Sequence, residues 1–130
     1  MSLPFTEKWF SLSARRNRQS FIFAAMSLNI VMIIVFAMIW FFEVRGNAFV
    51  LIFALFFAPY FVCGYTLSAQ RLRDMNLTGW LALLWLPASI ADNYVGGATS
   101  LALLVILCVV PGTRGENRYG PDPLEEWALD

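Results

Sequence analysis

The chain has 130 residues, of which 59% are hydrophobic and only 14% charged, with a formal net charge of +0 and no histidine. Soluble domains carry about 25% charged residues, and a domain this small leaves much of its surface exposed, so a water-soluble globule could not hide this much apolar surface. Zero net charge offers no global field for nucleic acid, and the missing histidine removes the commonest general base and metal ligand together.

Residues 1–20 form a basic lead-in. Phe5, Trp9 and Leu12 recur at four and three residues, as on one face of a short interfacial helix. Arg15, Arg16 and Arg18 follow in "LSARRNRQSF". Next to an apolar run they either fix orientation or bind anionic headgroups.

Residues 21–42 are uncharged, with Ser27 and Asn29 as the clear polar interruptions. Roughly 20 apolar residues span a bilayer core, so this run predicts a membrane helix. A cleaved signal peptide would have an apolar stretch of only about 7–15 residues ending in small side chains; this run is longer and ends in "WFFEVRG". Gly46-Asn47 predicts a short turn. Residues 48–67 make a second uncharged run, with Pro59 inside it as an expected kink.

"AQRLRDMNLTGW" then interrupts the apolar character. It is expected to be a turn between two membrane helices. Arg71 and Asp74 are three apart and can pair on one helix face, while Arg73 points elsewhere, towards phosphate or solvent. Asn76 or Thr78 can cap the next helix, Gly79 permits close backbone approach, and Trp80 suits the headgroup layer.

The apolar region from Trp80 to Val110 is interrupted by "ADNYVGGATS". One continuous helix would be about 46 Å long and would need a tilt beyond the usual range of about 0–40°. It would also bury Asp92 near mid-membrane. A break at Gly96-Gly97 is therefore predicted, giving short membrane helices over 77–91 and 98–110. These either cross a thinned bilayer twice or re-enter as a hairpin; two short crossings are preferred, with Tyr94 as an anchor at the tip and Pro87 bending the first helix. Residues 111–130 form the tail. "PGTRGENRYGPDP" reads as an ordered turn folded back on the membrane surface, and "LEEWALD" as a mobile end.

The fold class is thus all-α, a single polytopic membrane bundle of four segments with the last two short. Four crossings place eight of the nine Lys and Arg residues on one side; three crossings split them six to three. The positive-inside rule favours four, with both termini in the cytoplasm. Cys63 and Cys108 make no disulfide framework.

Three motifs carry a family resemblance. "SARRNRQSFI" is similar to a pattern SGRxxRxEFW, with Ser13, Arg15, Arg18 and Phe21 matching and Ser20 standing where the pattern has Glu. "QRLRDMNLTGWL" is similar to RRLHDxxxSGWW, with Gln70 in place of Arg and Arg73 in place of His. "PGTRGENRYGPDP" matches PGTxGxNRYGPDP almost throughout. Together they resemble the family catalogued as domain of unknown function 805, small bacterial membrane proteins. The resemblance implies a multi-pass inner-membrane protein and no particular chemistry. Acid–base roles for the pattern's His do not transfer, because arginine keeps its proton at ordinary pH.

All three motifs fall on the cytoplasmic side in the four-crossing topology. They are expected to converge as one polar cluster of Arg15, Arg18, Arg71, Asp74, Asn117, Arg118 and Asp122, with Trp80 beside it and tail acids offsetting the arginines. Such a cluster is either a latch or a headgroup site. The leading function class is a non-enzymatic bundle acting through membrane lipids, a membrane-protein partner or a second copy of itself. A small transporter or oligomeric channel is the alternative, with Asp92 as its residue of interest. A headgroup enzyme ranks last, for want of a nucleophile–base pair, a phosphate loop or a metal cluster. No cofactor, metal or nucleic acid is expected.

Overall fold

The computed structural model describes residues 9–128. Every regular element among them is helical: α1 (Arg18–Phe41), α2 (Gly46–Asp74), a 3-10 helix (Gly79–Leu84), α3 (Trp85–Val95), α4 (Ala98–Val109) and a short α5 (Pro123–Ala128). α1 and α2 are long and apolar enough to cross a membrane; α4 is a shorter apolar helix. α2 packs on α1 and the 3-10 helix, α3 on α4, and α4 also touches α1 and α2.

α1 starts where Asn17 accepts a hydrogen bond from the Ser20 backbone N–H through its side chain, at 2.9 Å. It ends as Glu43 turns left-handed (φ 49°), and Gly46, also left-handed, opens α2. The reversal is therefore Phe42–Arg45, a few residues before the expected Gly46-Asn47 turn. α2 runs unbroken past Pro59 to Asp74. "QRLRD" is consequently its last turn and not a connecting loop. Its helical spacing outlasts its apolar composition, and composition alone had marked the end at Leu67. The chain leaves α2 through Asn76, left-handed at φ 59°, a conformation that asparagine tolerates.

The segment expected as one helix over 77–91 is two pieces. A 3-10 helix gives way to α3 at Trp85. Pro87, expected to bend this helix, falls in the first turn of α3, where a missing N–H is tolerated. The break at Gly96-Gly97 is present, with both glycines left-handed. Asp92 explains its stability: its carboxylate accepts from the N–H groups of Thr99 (2.9 Å) and Ser100 (3.2 Å) at the start of α4. The expected interfacial helix around Phe5 lies partly outside the described residues; within them, Trp9–Asn17 is irregular. At the other end, Pro123–Ala128 is a helical turn rather than a structureless end. Asp122 supports it by accepting from the Leu124 N–H at 3.0 Å.

The buried core sits at one end of the bundle. Phe21 and Ala24 from the start of α1, Leu67, Ala69 and Leu72 from the end of α2, Ala82 of the 3-10 helix and Leu107 of α4 form it. Along the far halves of α1 and α2 runs an aromatic ladder of Phe49, Phe53 and Phe57 on α2, met by Phe36 of α1. Ile33, Trp40, Leu51 and Leu55 stand exposed around it. In the most apolar windows of α1 and α2 only 17% and 6% of residues are buried, which is unlike the core helix of a soluble protein. α4 is about 18 Å long and α1 about 36 Å, so the α3–α4 hairpin reaches roughly halfway along the longer pair.

Candidate functional site

The core end carries a buried polar network, built where α2 and α4 finish. A helix terminus leaves carbonyls without partners. Here each of the two helices is capped by the chain that follows or ends the other. Arg71, fully buried in the last turn of α2, donates from Nε to the Leu107 carbonyl at 2.9 Å and from Nη2 to the Val110 carbonyl. Its positive charge thereby sits at the negative end of α4. In return, the segment after α4 caps α2. Thr113 donates its N–H (2.8 Å) and hydroxyl (2.7 Å) to the Asp74 carbonyl. Asn117 Nδ2 reaches the Arg73 carbonyl at 3.0 Å, and Arg118 reaches that of Asn76 at 3.0 Å.

The carboxylate of Asp74 lies at the centre. Arg71 Nη1 donates to its Oδ2, and Arg15 binds its Oδ1 from Nε (3.2 Å) and Nη2 (3.0 Å). Arg15 Nη2 also meets the Thr113 carbonyl at 2.7 Å, and Nη1 meets the carbonyls of Gly115 (2.8 Å) and Gly120 (2.9 Å). All five N–H groups of Arg15 are therefore engaged. Two cations against one anion would be unstable in a buried site; the five carbonyl oxygens around them carry the excess charge. Gly112 is required by contact. A Cβ there would stand 2.0 Å from Asp74 Oδ2.

The tail is shaped for this role. Asn117 and Gly120 exchange both backbone hydrogen bonds at 3.0 Å, and Asn117 Oδ1 accepts from the Tyr119 N–H, closing a tight turn that aims the Gly120 carbonyl at Arg15. Asp122, though buried, meets neither Arg15 nor Arg71. Its Oδ2 accepts from the Gly115 N–H at 2.9 Å, which fixes the loop. The acid that offsets the arginines is thus Asp74 of α2, not a tail residue as expected. Arg18 is exposed as the first residue of α1, Arg118 lies at the rim, stacked on Tyr119, and Trp80 is 73% exposed outside the network.

Sequence reasoning left a third buried arginine out of the cluster. Arg16 donates from Nε to Gln70 Oε1 (2.8 Å) and from Nη1 to Ser20 Oγ (2.7 Å), and its ring neighbour is Trp9. Burial pushes its guanidinium down to about 10, so it remains charged at neutral pH. Ser20 and Gln70 are two of the positions where the chain departs from the motif patterns above. Both touch the same arginine. The third departure, Arg73, is half-buried. Its guanidinium lies against Gly79, where a Cβ would stand 2.6 Å from Nη2, and its Nη1 is buried without a hydrogen-bond partner. Gly79 does therefore permit a close approach, by this side chain. Thr78 occupies the cap position of the 3-10 helix without a side-chain bond.

Between α1, α2, the 3-10 helix, α3 and α4 lies a cavity of about 530 Å³, walled by Phe21, Phe57, Phe61, Trp85, Leu101 and Leu104 among others. Among the described residues no group of three or more His, Cys, Asp or Glu side chains could hold a metal ion.

No curated protein and no solved structure matches the chain. The family model described as Protein of unknown function (DUF805) matches residues 9–121, a stretch that takes in the whole Arg15–Asp74–Arg71 network and the turn that closes it. The chain belongs to that family.

Proposed function

We propose that the protein is an integral membrane bundle of the bacterial inner membrane, non-enzymatic, whose Arg15–Asp74–Arg71 network is a latch on the cytoplasmic face. In this reading both termini are cytoplasmic and four segments enter the bilayer. The α3–α4 hairpin crosses where the bilayer thins around it, with Tyr94, 87% exposed, at the far headgroup layer. Lipids are the primary partners of the apolar belt, and a membrane protein or second copy can share it.

The observation that carries the latch is the saturation of Arg15. A headgroup site needs guanidinium donors aimed outward, and those of Arg15 all end on protein oxygen atoms. Arg71 likewise ends on Asp74 and two α4 carbonyls. The transporter alternative would need an ionisable group along a pathway. Asp92 does not support it, because its carboxylate caps α4.

The test is membrane extraction combined with cysteine accessibility. The chain should resist alkaline extraction and require detergent, and Tyr94→Cys should label from the periplasm while Glu125→Cys labels only after permeabilisation. A chain recovered in the soluble fraction, or a tail labelled from outside intact cells, overturns the reading.

A further inference from the structure

We propose that the cavity between α1, α2, the 3-10 helix, α3 and α4 holds a flat, uncharged ring bearing a carbonyl oxygen, a molecule of the quinone class drawn from the bilayer, with the Tyr65 hydroxyl as its hydrogen-bond donor. The proposal rests on the membrane reading above and adds a ligand class and the residue that recognises it.

The volume of about 530 Å³ falls in the range of small-molecule sites, about 300–1,000 Å³. No described residue that lines it is charged. A carboxylate or phosphate would enter without a counter-ion and lose its hydration, so the ligand is neutral. Most of the polar lining is paired within the protein. Tyr60 donates to Asn29, Asn29 to the Ala25 carbonyl, Trp85 to Ser68, and Ser89 to the Leu86 carbonyl. The Ser100 hydroxyl turns to the Asp92 carboxylate, which also accepts from the Ser100 N–H. Tyr65 is left over: its hydroxyl meets no partner among the described residues.

An unpaired hydroxyl in an apolar site is costly. Water answers it poorly, because a held water needs about two to four polar partners and the other polar groups of the lining are engaged. A single carbonyl oxygen on an apolar body meets the need with one bond. The walls select the body. Phe21 of α1, Phe57, Tyr60, Phe61 and Tyr65 of α2, and Trp85 of α3 set aromatic rings around the space. Stacked and edge contacts favour a flat ring beyond the area it buries. A rigid ring also loses little freedom on binding, whereas an acyl chain must freeze its rotors. Phe57, Phe61, Leu86 and Leu101 line the cavity and are exposed as well. It therefore opens sideways onto the apolar belt, the route a lipid-soluble molecule would take.

The experiment uses the full chain purified in detergent, with bound ligand read by native mass spectrometry. The probes are a benzoquinone with one isoprene unit, dioctanoylglycerol, which is neutral and carbonyl-bearing but has no ring, and oleate, which is charged. The quinone should saturate at one per chain and bind at least about five-fold more tightly than either lipid, the advantage that aromatic contacts confer. Tyr65→Phe should weaken the quinone about five-fold, the net worth of one hydrogen bond. Gly64→Phe fills the cavity and should abolish saturable binding. Gly64 lines the cavity and a Cβ there meets nothing within 4 Å, so the protein should stay folded by circular dichroism; if it does not, Tyr65→Phe, which removes a single oxygen atom, decides alone. Quinone uptake that never saturates, or is no tighter than that of dioctanoylglycerol or oleate, overturns the proposal. So does an affinity untouched by Tyr65→Phe, or by Gly64→Phe in a folded protein. A chain soluble without detergent would instead defeat the membrane reading beneath it.

Discussion

The two ends of the α1–α2 pair are built on opposite principles. At the latched end, charged and polar side chains are buried and almost every donor has a named acceptor: Arg15, Arg16, Arg71 and Asp74 are all less than a tenth exposed. At the far end there is no ion pair among the described residues, and α1 and α2 hold together through phenylalanine contacts such as Phe36–Phe53, with ring centroids 6.1 Å apart. Directional bonds specify one arrangement, because each unpaired group would be penalised. Apolar contacts in a lipid solvent specify little, because lipid tails compete on equal terms. Geometry is therefore set at the polar end, and in the proposed membrane setting the far end would follow the bilayer.

The comparison is broken most severely at its centre. Asp74→Ala leaves two buried guanidiniums facing each other without their counter-ion, and should cost about 3–5 kcal/mol, read by unfolding in mixed micelles. Gly112→Ala comes next. The Asp74 carboxylate is pinned by two arginines and cannot withdraw from a new Cβ, so an overpacking cost of about 1–3 kcal/mol is expected in the same assay. Asp92→Ala removes the cap of α4 at the hairpin tip, remote from the latch, and should lower stability less than Gly112→Ala in the same assay. Phe53→Leu, in the aromatic ladder, should cost the least, about 0.5 kcal/mol, because lipid replaces the lost ring contacts. If Phe53→Leu equalled Asp74→Ala, the two ends would not differ as described.

The long apolar runs were legible because twenty uncharged residues in a row have few other uses, and the Gly96-Gly97 break because a polar interruption and two glycines cannot sit mid-helix cheaply. The end of α2 was misplaced for the complementary reason: Gln70 to Asp74 looks like a loop by polarity, and only the buried acceptors waiting across the bundle make it helix. The three motifs were legible as a set that meets at one end. Their internal wiring was not. Nothing local in "PGTRGENRYG" says that Thr113 and Asn117 cap a helix some forty residues earlier, or that Gly112 makes room for Asp74. Arg16 was hidden because nothing local links Ser20 to Gln70, far apart in the chain, although one guanidinium bonds to both.

The most direct test of the latch is a double-mutant cycle between Arg15 and Asp74, using Arg15→Met, Asp74→Asn and the pair, with unfolding free energies measured in micelles. Reciprocal pairing predicts strong non-additivity, with the double variant little worse than either single and a coupling of about 2 kcal/mol. Additive single effects, within about 0.5 kcal/mol, would mean that Arg15 and Asp74 contribute independently, and the latch would not exist.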